Sequence, residues 1–176
     1  MKPSRNGSSI LEFTLAGIPL VFVLISTVEM ARGMWVYHTL AYAIKEGTRF
    51  AIVHGQDCVT DPNNCPVRIS DVAAQIQWAG VGLDANVLQL TFASSTRSVP
   101  SSGSQSLQTS LSDNTYWPTN AKGQAVDAGA NTGLPLTITG TYLYRSAISL
   151  FWPGAGKGVA FGAYNLIATS TERIEF

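Results

Sequence analysis

The feature that most restricts this chain is an apolar run near its N-terminus, FTLAGIPLVFVLISTV from Phe13 to Val28, which carries no charge. Extended back to Ile10, it includes one carboxylate, Glu12. At about 1.5 Å of rise per helical residue, Ile10 to Val28 approaches the hydrocarbon thickness of a bilayer, roughly 30 Å, so the stretch reads as a single membrane span. Lys2 and Arg5 precede it and favour a cytoplasmic N-terminus, although Arg32, Lys45 and Arg49 on its far side make the positive-inside bias weak. A cleaved secretory signal is the plainer alternative. It needs a small-x-small site just after the apolar core, where this chain has Glu29-Met30-Ala31-Arg32, and Ala41-Tyr42-Ala43 lies too far downstream.

The remaining length, within 176 residues in all, suits one domain with its own core. Only 12% of residues are charged, 11 basic against 11 acidic, about half the usual fraction. The cations are scattered, so nothing suggests a nucleic-acid partner, whose phosphates demand clustered Lys and Arg. Cys58 and Cys65, the two cysteines, enclose a short turn in CVTDPNNC. That spacing suits a local disulfide in an oxidising compartment, outside the cytoplasm.

Beyond Arg32 the pattern becomes amphipathic. Val36, Tyr37, Leu40, Ala43, Ile44, Gly47, Phe50 and Ala51 recur at three- and four-residue intervals, with His38, Thr39, Lys45, Glu46 and Arg49 mainly elsewhere. One long helix therefore leaves the membrane and turns an apolar stripe toward a globular partner, closing near His54-Gly55. Pro19 removes a backbone donor inside its apolar half and is expected to bend it. Glu46 and Arg49 are spaced to pair on one helix face, either as a solvated ion pair worth a few tenths of a kcal/mol or, with Phe13 and Pro19, as part of a helix that makes assembly contacts.

A glycine behind a short basic leader, with a glutamate five residues on at the head of the apolar helix, resembles the processing site of type IV prepilins. The resemblance implies cleavage between Gly7 and Ser8 by a membrane aspartyl prepilin peptidase, with Glu12 kept near the new N-terminus. A carboxylate in apolar surroundings is costly unless it meets a cation, and the freed α-amine of a neighbouring subunit would be one. The alternative is that Glu12 merely reaches the headgroup layer. More broadly, Arg5, Gly7, Ile10-Leu11-Glu12-Phe13, Pro19, Glu29-Met30-Ala31-Arg32 and Ala43-Ile44-Lys45-Glu46-Gly47-Thr48-Arg49-Phe50-Ala51 are similar to the TadE/TadG-like pilus assembly family. The resemblance covers the first fifty or so residues. It implies a minor, pilin-like structural protein of the tight-adherence, or Flp, pilus of bacteria, with prepilin peptidase, other pilin-like subunits, pilus assembly proteins and membrane lipid as partners.

The rest of the chain has the grammar of a small antiparallel domain. Ser70 to Ala79 reads as a short helix with Ser70 as cap and Asp71 in its first turn. Asn86–Ala93 and Leu134–Tyr144 read as strands, and Phe161 to Phe176 as another, with Tyr164, Leu166 and Ala168 on one face and final residues that fray. Ser94 to Thr119 is Ser- and Thr-rich without apolar periodicity, and is expected to be a long structureless loop. Tyr116 and Trp117 are either anchors for an extracellular ligand such as a glycan or, for Trp117, a plug in the domain. Phe151 to Gly158 reads as a hairpin loop.

Catalytic chemistry finds no foothold. His38 and His54 are too far apart for HExxH ligation, and two cysteines cannot close a structural zinc site. Gly154-Ala155-Gly156-Lys157-Gly158 lacks the first glycine and the Ser or Thr of a phosphate loop. Asp57, Asp61, Asn63 and Asn64 lack the order of a calcium loop. The expectation is thus an α+β protein, not an enzyme, with no cofactor or metal: a basic leader (1–7), a transmembrane helix continuing as an amphipathic one (8–54) on a small antiparallel sheet, and an extracytoplasmic domain (55–176). It is placed in a bacterial inner membrane as a single-pass protein reaching toward the pilus. A membrane-anchored, adhesin-like binding module outside any fibre is the alternative.

Overall fold

Residues 6–54, 67–94, 98–100, 103–118, 133–147 and 162–175 are described by a computed structural model. Their backbone contacts form two units, residues 1–35 with 145–163, and residues 36–144 with 164–176. Helix α1 runs from Asn6 to Val53 and is unbroken at Pro19. Within the second unit its apolar stripe is buried as the spacing predicts, at Val36, Leu40, Ala43, Ile44, Gly47 and Ala51. Tyr37, assigned to the same stripe, is instead exposed and meets His38 edge-on. One residue of helix turns it about 100° from Val36, off the covered face.

The stripe packs on a second helix and a five-stranded sheet, an α+β arrangement. The sheet centres on β1 (Leu88–Ser94), which pairs antiparallel with β4 (Pro135–Arg145) from Leu88 opposite Tyr142 to Ser94 opposite Leu136. Two short strands, β2 (Ser98–Val99) and β3 (Gln105–Ser106), share the other edge of β1. Strand β5 (Ala163–Arg173) lies beyond β4. Hydroxyl pairs Thr137–Thr171 at 2.8 Å and Thr139–Thr169 at 3.2 Å run in opposite directions along the two strands, making this pairing antiparallel as well.

Alternation along the strands decides the core. Leu88, Leu90 and Phe92 of β1, Leu136 and Ile138 of β4 and Ala168 of β5 are buried, while the threonines between them face outward. Two glycines set how closely the helices approach. An added Cβ at Gly140, in the middle of β4, would lie 2.6 Å from Ile44 Cδ1 and 2.9 Å from its Cγ1. At Gly47 of α1 it would run into Ile76 of α2 (Ile69–Ala79). Ile44 of α1 therefore rests on the bare backbone of β4, and Ile76 of α2 on the bare backbone of α1, so neither position has space for a side chain.

Helix α2 differs from expectation at its start. It begins at Ile69 with Arg68 as the cap residue, not Ser70. The Ile69 amide donates to Thr115 O at 3.0 Å and the Ser70 amide to Asp113 O at 3.0 Å, so a distant segment supplies the capping carbonyls and no cap hydroxyl is needed. Asp71 Oδ2 accepts from the Arg68 amide at 2.9 Å. Burial works against the Asp113 carboxylate, but hydrogen bonds from Thr115 and Gln105 outweigh it and hold its pKa below the usual value.

That segment belongs to the stretch read as structureless. Among its described residues it carries β2, β3 and the short helix α3 (Leu107–Ser110), whose Ser106 cap accepts from the Thr109 amide at 3.1 Å. Buried Leu107 and Trp117 tie it to the core, an anchoring with no sequence periodicity to announce it. The chain end does not fray through its described residues either. Ile174 is buried, its amide donates to Leu134 O at 3.0 Å, and the Glu175 amide donates to Ile52 O at 3.1 Å. On β5, Leu166 packs on the core and Ala168 is buried as expected, whereas Tyr164 is exposed.

Gly140→Val is expected to lower stability by about 1–3 kcal/mol, because the new side chain must displace Ile44. The measurement is a drop in the chemical denaturation midpoint at unchanged slope.

Candidate functional site

The first unit holds the part of α1 that no core covers. An 18-residue window within Ser9–Val53 is apolar enough to cross a membrane, and none of it is buried. Phe13 is 78% exposed, Leu15 74% and Leu20 69%, and Val21, Phe22, Val23 and Leu24 are exposed beside them. So much contiguous apolar surface on all sides of one helix is unfavourable in water and suited to lipid. Its hydroxyls fit that solvent too. Thr14 Oγ1 donates to Ile10 O at 3.1 Å and Thr27 Oγ1 to Val23 O at 2.8 Å, so each is satisfied within the helix.

The residues singled out from the sequence fall along this helix in order. Gly7 and Ser8 lie in its first turn, Glu12 and Phe13 are exposed on its surface, and Pro19 sits inside the apolar window. The apolar surface ends at a polar pair that the sequence reading did not assign. Arg32 Nη1 lies 3.5 Å from Glu29 Oε1, and the Glu29 side chain is only 12% exposed. The same nitrogen donates to Arg145 O at 3.5 Å. The spacing of Glu29 and Arg32 was a visible signal for the pair, whereas nothing in the sequence links either to Arg145.

In the second unit Glu46 and Arg49 pair as expected, at 3.7 Å on the surface of α1. They line an open cavity of about 600 Å³ with Lys45, His54, Glu172 and Glu175. The His54 Nδ1–H donates to Phe50 O at 2.7 Å, and the two rings stack 4.2 Å apart. Both signs of charge line this cavity and it selects no obvious ligand. Among the described residues no group of three His, Cys, Asp or Glu is placed to hold a metal ion.

The proposed ligand anchors separate. Trp117 is fully buried and packs edge-on against Phe92 with ring centroids 5.1 Å apart, so it is a core residue and not a ligand contact. Its Nε1 has no hydrogen-bond partner among the described residues. Tyr116 is half-buried under the Arg68 guanidinium, 5.6 Å from the ring centroid. Cys58 and Cys65, the acidic turn around them and the glycine-rich stretch 151–158 lie outside the described residues.

Fold and helix together define an α+β protein with one candidate membrane span. Over residues 7–49 the chain is similar to the family described as TadE-like protein. No curated protein and no solved structure matches it. The matched stretch contains the apolar window, Glu12, the Glu29–Arg32 pair and the Glu46–Arg49 pair.

If lipid is the solvent of this helix, charge at its middle must expel it. Val21→Arg combined with Leu24→Arg costs about 2.5–3.5 kcal/mol per residue. The doubly substituted protein is expected in the supernatant after alkaline carbonate extraction, with the parent protein in the membrane pellet.

Proposed function

We propose that this protein is a minor, pilin-like structural subunit that takes part in assembling a tight-adherence (Flp, type IVc) pilus for surface attachment. The observation that carries the reading is one helix segment that is wholly uncovered and apolar and lies within the TadE-like match. A helix whose apolar surface has no partner among the described residues is suited to bundle with others of its kind in the membrane.

In this mechanism prepilin peptidase cuts between Gly7 and Ser8 on the cytoplasmic side of a bacterial inner membrane. Helix α1 begins at Asn6, so the scissile bond lies in a first turn whose amides lack intrahelical partners and open at little cost. The cut leaves a free α-amine on Ser8. Glu12 of one subunit then pairs with the α-amine of a neighbour, which removes the cost of holding a carboxylate at the edge of the hydrocarbon. Residues 55–176 lie outside the cytoplasm and set the register of subunits. There Cys58 and Cys65 meet oxidising conditions, in which a disulfide between them persists.

The test is the intact mass of the protein from cells with and without prepilin peptidase. Loss of residues 1–7 only where the peptidase is present is the expected result, and an uncut chain in both overturns the proposal. Glu12→Ala is expected to insert normally and to lose at least most of its co-purification with other pilus components.

A further inference from the structure

We infer that the end of β4 at Arg145 rests on the membrane surface, where Arg145 and Arg32 engage the phosphates of anionic lipids. The inference rests on the reading of α1 as a membrane span and adds a lipid-headgroup site to it.

The apolar window gives way to Glu29, and Arg32 follows Val28 by four residues, about 6 Å along the helix axis. The headgroup layer extends about 5–8 Å beyond the hydrocarbon on each side, so Arg32 falls inside it. The Arg145 carbonyl accepts from Arg32 Nη1 at 3.5 Å, which brings the last residue of β4 to the same level. The Ser146 amide donates to Gly162 O at 2.7 Å, so the chain returning toward β5 begins there as well.

The chemistry at this level suits anionic headgroups. Two arginines, Arg32 and Arg145, and one carboxylate, Glu29, share this level among the described residues. The Arg32 side chain is 52% exposed, and Arg145 is exposed as well. Glu29 and the Arg145 carbonyl both contact Arg32 Nη1, which orients its guanidinium. A guanidinium fork matches phosphate oxygens, and each cation at an anionic leaflet adds about 1 kcal/mol. Trp35, one turn beyond Arg32 and 53% exposed, has the apolar body and polar edge that favour the same layer.

Photo-crosslinking in vesicles tests this on the full chain. Benzoylphenylalanine is placed at position 20 in the apolar window, at 147 beside Arg145, or at 167 on the outward face of β5. The vesicles are phosphatidylcholine with a minor share of phosphatidylglycerol. Lipid adducts are expected at 20 and 147 and not at 167, with phosphatidylglycerol enriched at 147. Arg145→Gln lowers that enrichment about fivefold, and Arg145→Lys largely keeps it. Adducts at 20 without adducts at 147 overturn the inference and leave the span standing. Adducts at 147 without phosphatidylglycerol enrichment overturn the anionic site. No adducts at 20 overturn the span itself, and this inference with it.

Discussion

The close approach of α1 to the backbone of Gly140 is the contact on which the second unit depends. Ile44 reaches the sheet only because β4 carries no side chain there, and Ile76 of α2 fits against α1 only because Gly47 carries none. These two contacts bring helix, helix and sheet within van der Waals distance of one another. Leu40, Ala43, Ala51, Val72, Phe92 and Ile138 then close into one core. Packing of this density is intolerant of added volume, which makes glycine a structural requirement at both places.

The same helix carries two kinds of surface. From Val36 onward one stripe is covered by protein and the other face is polar, the pattern of a helix on a globular domain. Before Glu29 it is apolar on every side and uncovered. The change occurs within about two turns, and the Glu29–Arg32 pair sits at it. A charged pair at that position closes the apolar surface, because burying either group in hydrocarbon costs several kcal/mol. Within the first unit Arg32 also holds the carbonyl of Arg145, the last residue of β4.

Long-range backbone hydrogen bonds complete the second unit where apolar packing thins out. The segment around Asp113 and Thr115 caps α2, and its Trp117 fills the core against Phe92. The final residues close on the end of α1 through the Glu175 amide and Ile52 O. A tryptophan used in this way is lost to ligand binding. The assembly reading accordingly draws on α1 and its apolar surface, and not on the Ser-rich segment.

Local chemistry was legible without coordinates. The uncharged run from Phe13 to Val28, the stripe from Val36 to Ala51, the Glu46–Arg49 spacing and the alternation in β1 and β4 each depend on residues close in sequence. Periods of 3.6 and 2 report them directly. Tyr37 shows the limit of that reading, since a stripe has edges that only the partner surface defines. The cap of α2, the ordering of 103–118, the anchoring of Ile174 and the Arg32–Arg145 tie join residues tens of positions apart. No local pattern encodes such pairings, because their partners meet only when the chain has folded. The sequence by itself determined an apolar helix joined to a small α+β domain. The tertiary structure decided which aromatic is core, which backbone groups cap α2, and which strand end meets the helix where its apolar surface stops.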